Sequence, residues 1–291
     1  ENKSNIFNSN TREMFTGDKL PDQNNIVSIN AYLGAFPIAE ALKYGADIVI
    51  TGRCVDSAVT LGACIYSFDW KENDWHKLSG GSLAGHIIEC GTQSTGGNFT
   101  DWELISDQID IMGYPIVEIF EDSTFDCKKS NNTGGLVSVG TISEQLVYEI
   151  GDPQAYILPD VVCDFSQVKV NQIDKDIVRV TGAIGYPATN QYKVSITYSD
   201  GFRGGHLMSF VGIDAGKKAK AYGEAIFKRS RNIMKKMNMP DFTETSIEIL
   251  GDQSQYSKKD KNFKSREVIL KYAAKHSDIR AIGIMLKESV G

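Results

Sequence analysis

The sequence predicts an α/β protein: a parallel-type βαβ unit with helices on both faces, followed by an α+β layer with an antiparallel meander. Three observations carry this. Short apolar runs at Ile26–Ile29 and Ile48–Ile50 alternate with helical patterns at Tyr32–Lys43 and Ala58–Ile65, the order of a parallel sheet with crossover helices. Gly45 and Thr51-Gly52 punctuate those elements where each would end. From Asp176 onward, β-branched runs joined by short turns replace the alternation. On this pattern the 291 residues divide into a polar lead-in or truncated remnant over 1–25, a motif-bearing α/β domain over 26–170 and an α+β domain over 171–291. The chain begins at Glu1 and stops just after an apolar run, so both ends read as truncated.

In order, Ile26–Ile29 is the first strand, and Pro37 suits the first turn of the helix that follows. Ile48-Val49-Ile50 is a buried strand on its apolar run, and Asp56-Ser57 can cap the next helix with short side-chain oxygens. Phe68–Leu78, with Trp70 and Trp75, reads as a charged loop covering the sheet edge, with His76 exposed. Gly80-Gly81-Ser82 precedes a helical segment from Leu83 to Cys90. Tyr114–Ile119 and Thr124–Lys128 form a hairpin around Asp122-Ser123, and Ile142–Ile150 is a helix closed by Gly151. Strands then follow at Ile177–Thr181, Gln191–Tyr198 and Gly205–Ile213, the last two joined by Ser199-Asp200-Gly201. An amphipathic helix at Gly216–Met237, a strand at Ser246–Leu250, a helix at Ser265–Lys275 and a strand at Ile279–Leu286 complete the chain.

Arg53 and Asp56 fall where strand gives way to helix, the lip at which open α/β sheets bind ligands. A guanidinium there can hold a carboxylate or phosphate in bidentate fashion, or it can pair with Asp56 to close the turn. His86, Glu89 and Cys90 share a helix face by spacing. An imidazole beside a carboxylate suits general-base work, and Cys90 is a nucleophile if His86 lowers its pKa; a structural histidine satisfied by its neighbours is the alternative. Gly81-Ser82, Thr95-Gly96-Gly97-Asn98 and Thr133-Gly134-Gly135, together with Ser57, are candidate binding positions, because small residues let backbone donors approach an anion. The same Asn and Gly residues beside a strand also make ordinary tight turns.

Net charge is −6 with acidic and basic residues interspersed, which gives nucleic acid no basic face. No apolar run approaches the ~20 residues that span a bilayer. Five cysteines without a CxxC pair read as free thiols in a reducing, intracellular compartment, cytoplasm or mitochondrial matrix, and not as a zinc framework, so no metal ligands are assigned. GxGxxG, GxxxxGK[ST] and HExxH are absent, and the cofactor, like any homo-oligomeric state, is left open.

The strings ITGRCVDSAV, GSLAGHIIECGTQSTGGNFTDW and GTISEQLVYEIGDPQAYILPDVVCDFSQV, and more weakly NAYLGAFPIAEAL, resemble the AtuA family of acyclic terpene utilisation proteins over most of Ile26 to Gly205. The resemblance implies catabolism of citronellol- and geraniol-type terpenes alongside acyl-CoA enzymes, with a small-molecule carboxylate or acyl-CoA thioester as substrate. It implies a lyase, hydratase or hydrolase if the protein is an enzyme. It also allows a non-catalytic partner of an acyl-CoA carboxylase-type enzyme. Family members carry an upstream nucleotide-fold-like segment that this stretch lacks. The resemblance assigns no role to His86, Glu89 or Cys90.

Overall fold

The computed structural model describes residues 10–252, 254–255 and 265–290. They fall into two compact units, Ser28–Ile196 and Thr197–Gly291 with Glu1–Val27.

In the Ser28–Ile196 unit, β1 (Ile26–Ala31) leads to α1 (Phe36–Lys43), which has Pro37 in its first turn and ends at Gly45 with positive φ. The N-terminus of α1 lacks a local cap. Asp160 supplies one from across the chain, its Oδ2 accepting from the Ala35 amide at 2.8 Å. Gly34 makes room for that carboxylate, since a Cβ there would collide with it.

Two helices follow, α2 (Ala58–Phe68) and α3 (Trp75–Glu89). Gly80-Gly81-Ser82 therefore lies inside a helix rather than before one. The reason is burial: every residue from Leu78 to Ile87 is buried, so the middle of α3 has no solvent face. A helix enclosed on all sides fits only where its neighbours come close. A Cβ on Gly85 would sit 2.9 Å from the Ser57 backbone, and one on Gly81 2.9 Å from Leu61 and Trp70. Trp70, 2% exposed, donates its indole N–H to the Glu121 carbonyl at 3.1 Å, so it is core rather than a sheet-edge cover.

The predicted hairpin forms as β2 (Pro115–Ile119) and β3 (Phe125–Lys129). α4 (Val139–Val147) starts with a capping box between Ser138 and Thr141. Short strands β4 (Tyr156–Ile157) and β5 (Val162–Asp164) precede β6 (Lys169–Asp174), β7 (Ile177–Thr181) and β8 (Ile184–Tyr186). These make two antiparallel sheets, ordered β2-β3-β7-β6 and β4-β5-β8. Asp126 and Arg179 face each other in register and pair through two bonds of 2.7 Å.

The parallel βαβ unit expected from the sequence does not form among the described residues. Ile48–Ile50 lies outside any strand, with Ile48 81% and Ile50 92% exposed. β1 pairs instead with β9 (Val194–Tyr198), antiparallel by the flanking bonds Tyr32 N–H to Lys193 and Ser199 N–H to Asn25. Parallel pairing survives as the isolated bridges Leu33–Cys54 and Met112–Gly134. An apolar run becomes a strand only where a neighbour pairs with it, and the partner of β1 is β9. The expected meander also separates: β7, β9 and β10 (Phe202–Val211) belong to different sheets.

In the Thr197–Gly291 unit, α5 (Ala215–Lys236) and α6 (Ile279–Lys287) accompany a sheet ordered β10-β12-β11, with β11 at Glu244–Leu250 and β12 at Glu267–His276. Here the last two elements reverse the expectation. The 265–275 stretch is mostly strand because Val268, Leu270, Tyr272, Ala274 and His276 are buried in strict alternation. The 279–286 stretch is helix because Asp278 caps it, accepting from the Arg280 amide at 2.8 Å, and Ala281, Ile282 and Met285 form its buried stripe.

The two helical glycines Gly85 and Gly283 separate packing from propensity. Gly283 faces open space within α6, so Gly283→Ala should raise stability by roughly 0.5–1 kcal/mol. Gly85→Ala should lower it despite the same propensity gain, because the methyl meets backbone that cannot move aside. Urea denaturation of both variants would read the opposite signs.

Candidate functional site

The turn before α2 is held by backbone: Leu33 N–H donates to the Arg53 carbonyl at 3.2 Å and Val55 N–H to the Leu33 carbonyl at 3.0 Å. The expected side-chain cap by Asp56-Ser57 is not made; Ser57 is buried with helical φ and ψ, pressed against Gly85. This contact sets the start of α2 against the last turns of α3. Glu89 lies four residues beyond Gly85 and points to nearly the same side, toward the 52–56 turn.

An open hollow of about 550 Å³ results, lined by Asn30, Gly52, Arg53, Cys54, Asp56, Val59 and Glu89. The Arg53 and Asp56 side chains are 49% and 60% exposed, with Nη1 and Oδ1 3.7 Å apart, a loose pair that leaves the guanidinium open to other partners. Arg53 and Lys193 both lie 5.1 Å from the centre of the Tyr32 ring, so a second cation stands near the first.

Glu89 is exposed and accepts a hydrogen bond from the Cys90 thiol at 2.9 Å. Burial, and then the Glu89 carboxylate, push the Cys90 thiol up to about 11, so at neutral pH it stays protonated and orients the carboxylate. His86, one residue after Gly85, faces away from the hollow. Its Nε2 lies 2.9 Å from the Gln145 carbonyl, and because a carbonyl only accepts, that nitrogen carries the proton. The Gln145 side chain returns a bond of 2.8 Å to the His86 carbonyl, and the ring packs beside Tyr156. The imidazole thus ties α3 to α4. Burial lowers its pKa, so it is neutral.

The glycine loops meet one another rather than the hollow. Thr95 Oγ1 lies 2.9 and 2.6 Å from the carbonyls of Thr92 and Gly113, its one proton going to either, and Leu136 N–H donates to the Thr95 carbonyl at 2.9 Å. Gly134 N–H donates to Ile111 at 2.8 Å, while the amides of Gly96 and Gly97 are spent on Gln93 and Thr92. Thr133 Oγ1 donates to Ser130. Gly135, with φ of 88°, lets the backbone pass the Thr95 carbonyl where a Cβ would lie 2.5 Å away. Asn98 is exposed at the edge of this knot, and Gly81 and Ser82 are sealed inside α3. Of the residues singled out in the sequence, the structure brings together Arg53, Asp56 and Glu89, with Cys90 behind Glu89.

Asn30, Tyr32, Val59 and Lys193 also belong to the hollow or its rim, and no local pattern marks them. Asp160, a carboxylate that could also have served a ligand, is used on the Ala35 amide beside Gly34. Burial raises the Asp160 pKa. Among the described residues no group of three or more His, Cys, Asp or Glu could hold a metal ion, and no helix is long and apolar enough to cross a membrane.

The family model described as "Acyclic terpene utilisation family protein AtuA" matches residues 2–291. No curated protein and no solved structure matches the chain.

A base whose folded pKa is depressed contributes stability that is present above its ordinary titration range and is lost as pH falls through the folded value. His86 should therefore make the protein lose stability on acidification from about pH 7 to pH 5. His86→Gln, which can still donate to the Gln145 carbonyl, should flatten that decline. Denaturation midpoints of both proteins across the range check this, and equal slopes would remove His86 as the cause.

Proposed function

The chain belongs to the acyclic terpene utilisation family AtuA, and from that premise we propose that its open hollow takes a branched acyclic carboxylic acid, or the corresponding acyl-CoA thioester, for acid/base chemistry at the carbonyl end. The observation that carries this reading is the sharing of one solvent-open hollow by Arg53 and Glu89. Arg53 receives the carboxylate or carbonyl oxygen, exchanging its loose contact with Asp56 for a bidentate one. Lys193, beyond Tyr32, adds positive potential on that side.

Glu89 is the proton-transfer group. A ligand carboxylate arriving beside it places two like charges together, which raises the proton affinity of one of them. Glu89 then holds a proton at the ligand's carbonyl end, and the Cys90 thiol keeps its carboxyl group in one orientation. His86 supports this from behind by fixing the last turn of α3 to α4.

A second reading rests on a separate observation: Tyr44, Ile48 and Ile50 are each more than four-fifths exposed, at 84%, 81% and 92%. Exposed apolar residues grouped along a short stretch suit a protein partner, which on this reading is an acyl-CoA carboxylase-type enzyme. Co-purification that is lost in Ile48→Asp/Ile50→Asp, with ligand binding intact, would favour it.

Titration calorimetry with a methyl-branched acyclic acid tests the first reading. Arg53→Gln should weaken binding by roughly tenfold to a hundredfold, the worth of a hydrogen bond to a charged group. Wild type should take up protons on binding, so that affinity falls as pH rises, and Glu89→Gln should abolish the uptake. No binding to wild type, or no change in Arg53→Gln, would overturn the reading.

A further inference from the structure

A second cavity adjoins the hollow. It is a groove of about 450 Å³ between α2 and the edge strand β2. Val59, Ala63 and Ser67 run along its helical side, and Val117 and Ile119 along its strand side. Val59 lines both spaces, so the polar hollow and the apolar groove adjoin at this residue. The far end is walled by Phe68, whose ring stacks on buried Trp70 with centroids 5.3 Å apart.

We infer that this groove is the hydrocarbon-tail subsite of the ligand whose charged head sits at Arg53, with room for a side-branched chain of medium length. The inference rests on the head-group reading above and extends it to the rest of the ligand. From Val59 to Ser67 the helix rises about 12 Å, the reach of a medium-length extended chain and too long for a short acid to fill. Ala63 is small, and with Val59 57% exposed the groove is open along its side, so methyl branches have somewhere to go. A closed tunnel would reject them. The charge distribution orients the chain: among the described residues, the ionised side chains lining either space are Arg53, Asp56 and Glu89, all at the hollow end.

Ala63 and Ser67 are exposed, so substitutions there fill the groove without entering the core. The test is a chain-length series of branched acyclic acids titrated into wild type, Ala63→Phe and Ser67→Phe, with melting curves to confirm folding. In wild type, affinity should rise by up to about fourfold per added methylene until the groove is full. Ala63→Phe should flatten that slope while the shortest acids bind as before, and Ser67→Phe should cost affinity only for the longest. The neutral alcohols of the same chains, titrated on Arg53→Gln, should keep the chain-length slope, which separates the groove from the head site. An unchanged slope in Ala63→Phe with short acids still dependent on Arg53 would overturn the groove alone. No binding by acids or alcohols at any length would overturn both readings. A change of oligomeric state in the filled variants without a change in acid binding would assign the groove to a second copy of the chain and overturn it as a tail subsite.

Discussion

Burial of the middle of α3, Leu78 to Ile87, on every side is the constraint from which the Ser28–Ile196 unit is built. An enclosed helix cannot carry a polar face, and it cannot carry a continuous bulky one without forcing its neighbours apart. The run Leu78 to Ile87 meets this with Ser79, Gly80, Gly81, Ser82, Ala84 and Gly85 between its leucines and isoleucine. The missing side chains are filled by others: Leu61 and Trp70 at Gly81, the Ser57 backbone at Gly85. The glycines serve close approach, and their cost in helix propensity is offset by the contacts they admit.

The same constraint positions the hollow. Because Ser57 rests on Gly85, the turn entering α2 is brought to the last turn of α3, and Arg53, Asp56 and Glu89 face a common space. His86 sits one residue further round the helix, and about 100° of rotation is enough to turn it into the α4 interface. Its proton is committed to the Gln145 carbonyl, and its burial keeps it neutral. Buried polar groups elsewhere serve the same kind of end. Asp160 caps α1, and Asp126 holds Arg179 across the β3–β7 pairing, each tying together segments distant in sequence. These interior groups are spent on cohesion, and Arg53, Asp56 and Glu89 at the hollow stay open to solvent.

The glycine-rich stretches around Thr95 and Thr133 follow the logic of α3. Their amides and hydroxyls are used on each other's carbonyls, and Gly135 lets one backbone cross another. A loop rich in small residues can cradle an anion or another loop. Here the second occupant is already present.

Where periodicity and its punctuation, which depend on residues within a few positions of one another, agreed with the packing, they were legible in the chain alone. The β2–β3 hairpin, α1 with Pro37 and Gly45, and the long amphipathic α5 are where their patterns put them. So is the placing of Arg53 and Asp56 in a turn and of Glu89 at a helix end. What lay beyond the sequence is everything set by distant partners. Whether Ile48–Ile50 became a strand depended on a pairing partner from elsewhere in the chain, and β1 is paired with β9 instead. Whether Gly80-Gly81-Ser82 was a loop or a helix core depended on Trp70, Leu61 and Ser57 closing around it. Whether His86 faced a ligand or Gln145 depended on where α4 packed. A side chain's spacing is local, but its surroundings are assembled from the whole unit, and it is the surroundings that decide between a structural tie and a reactive group.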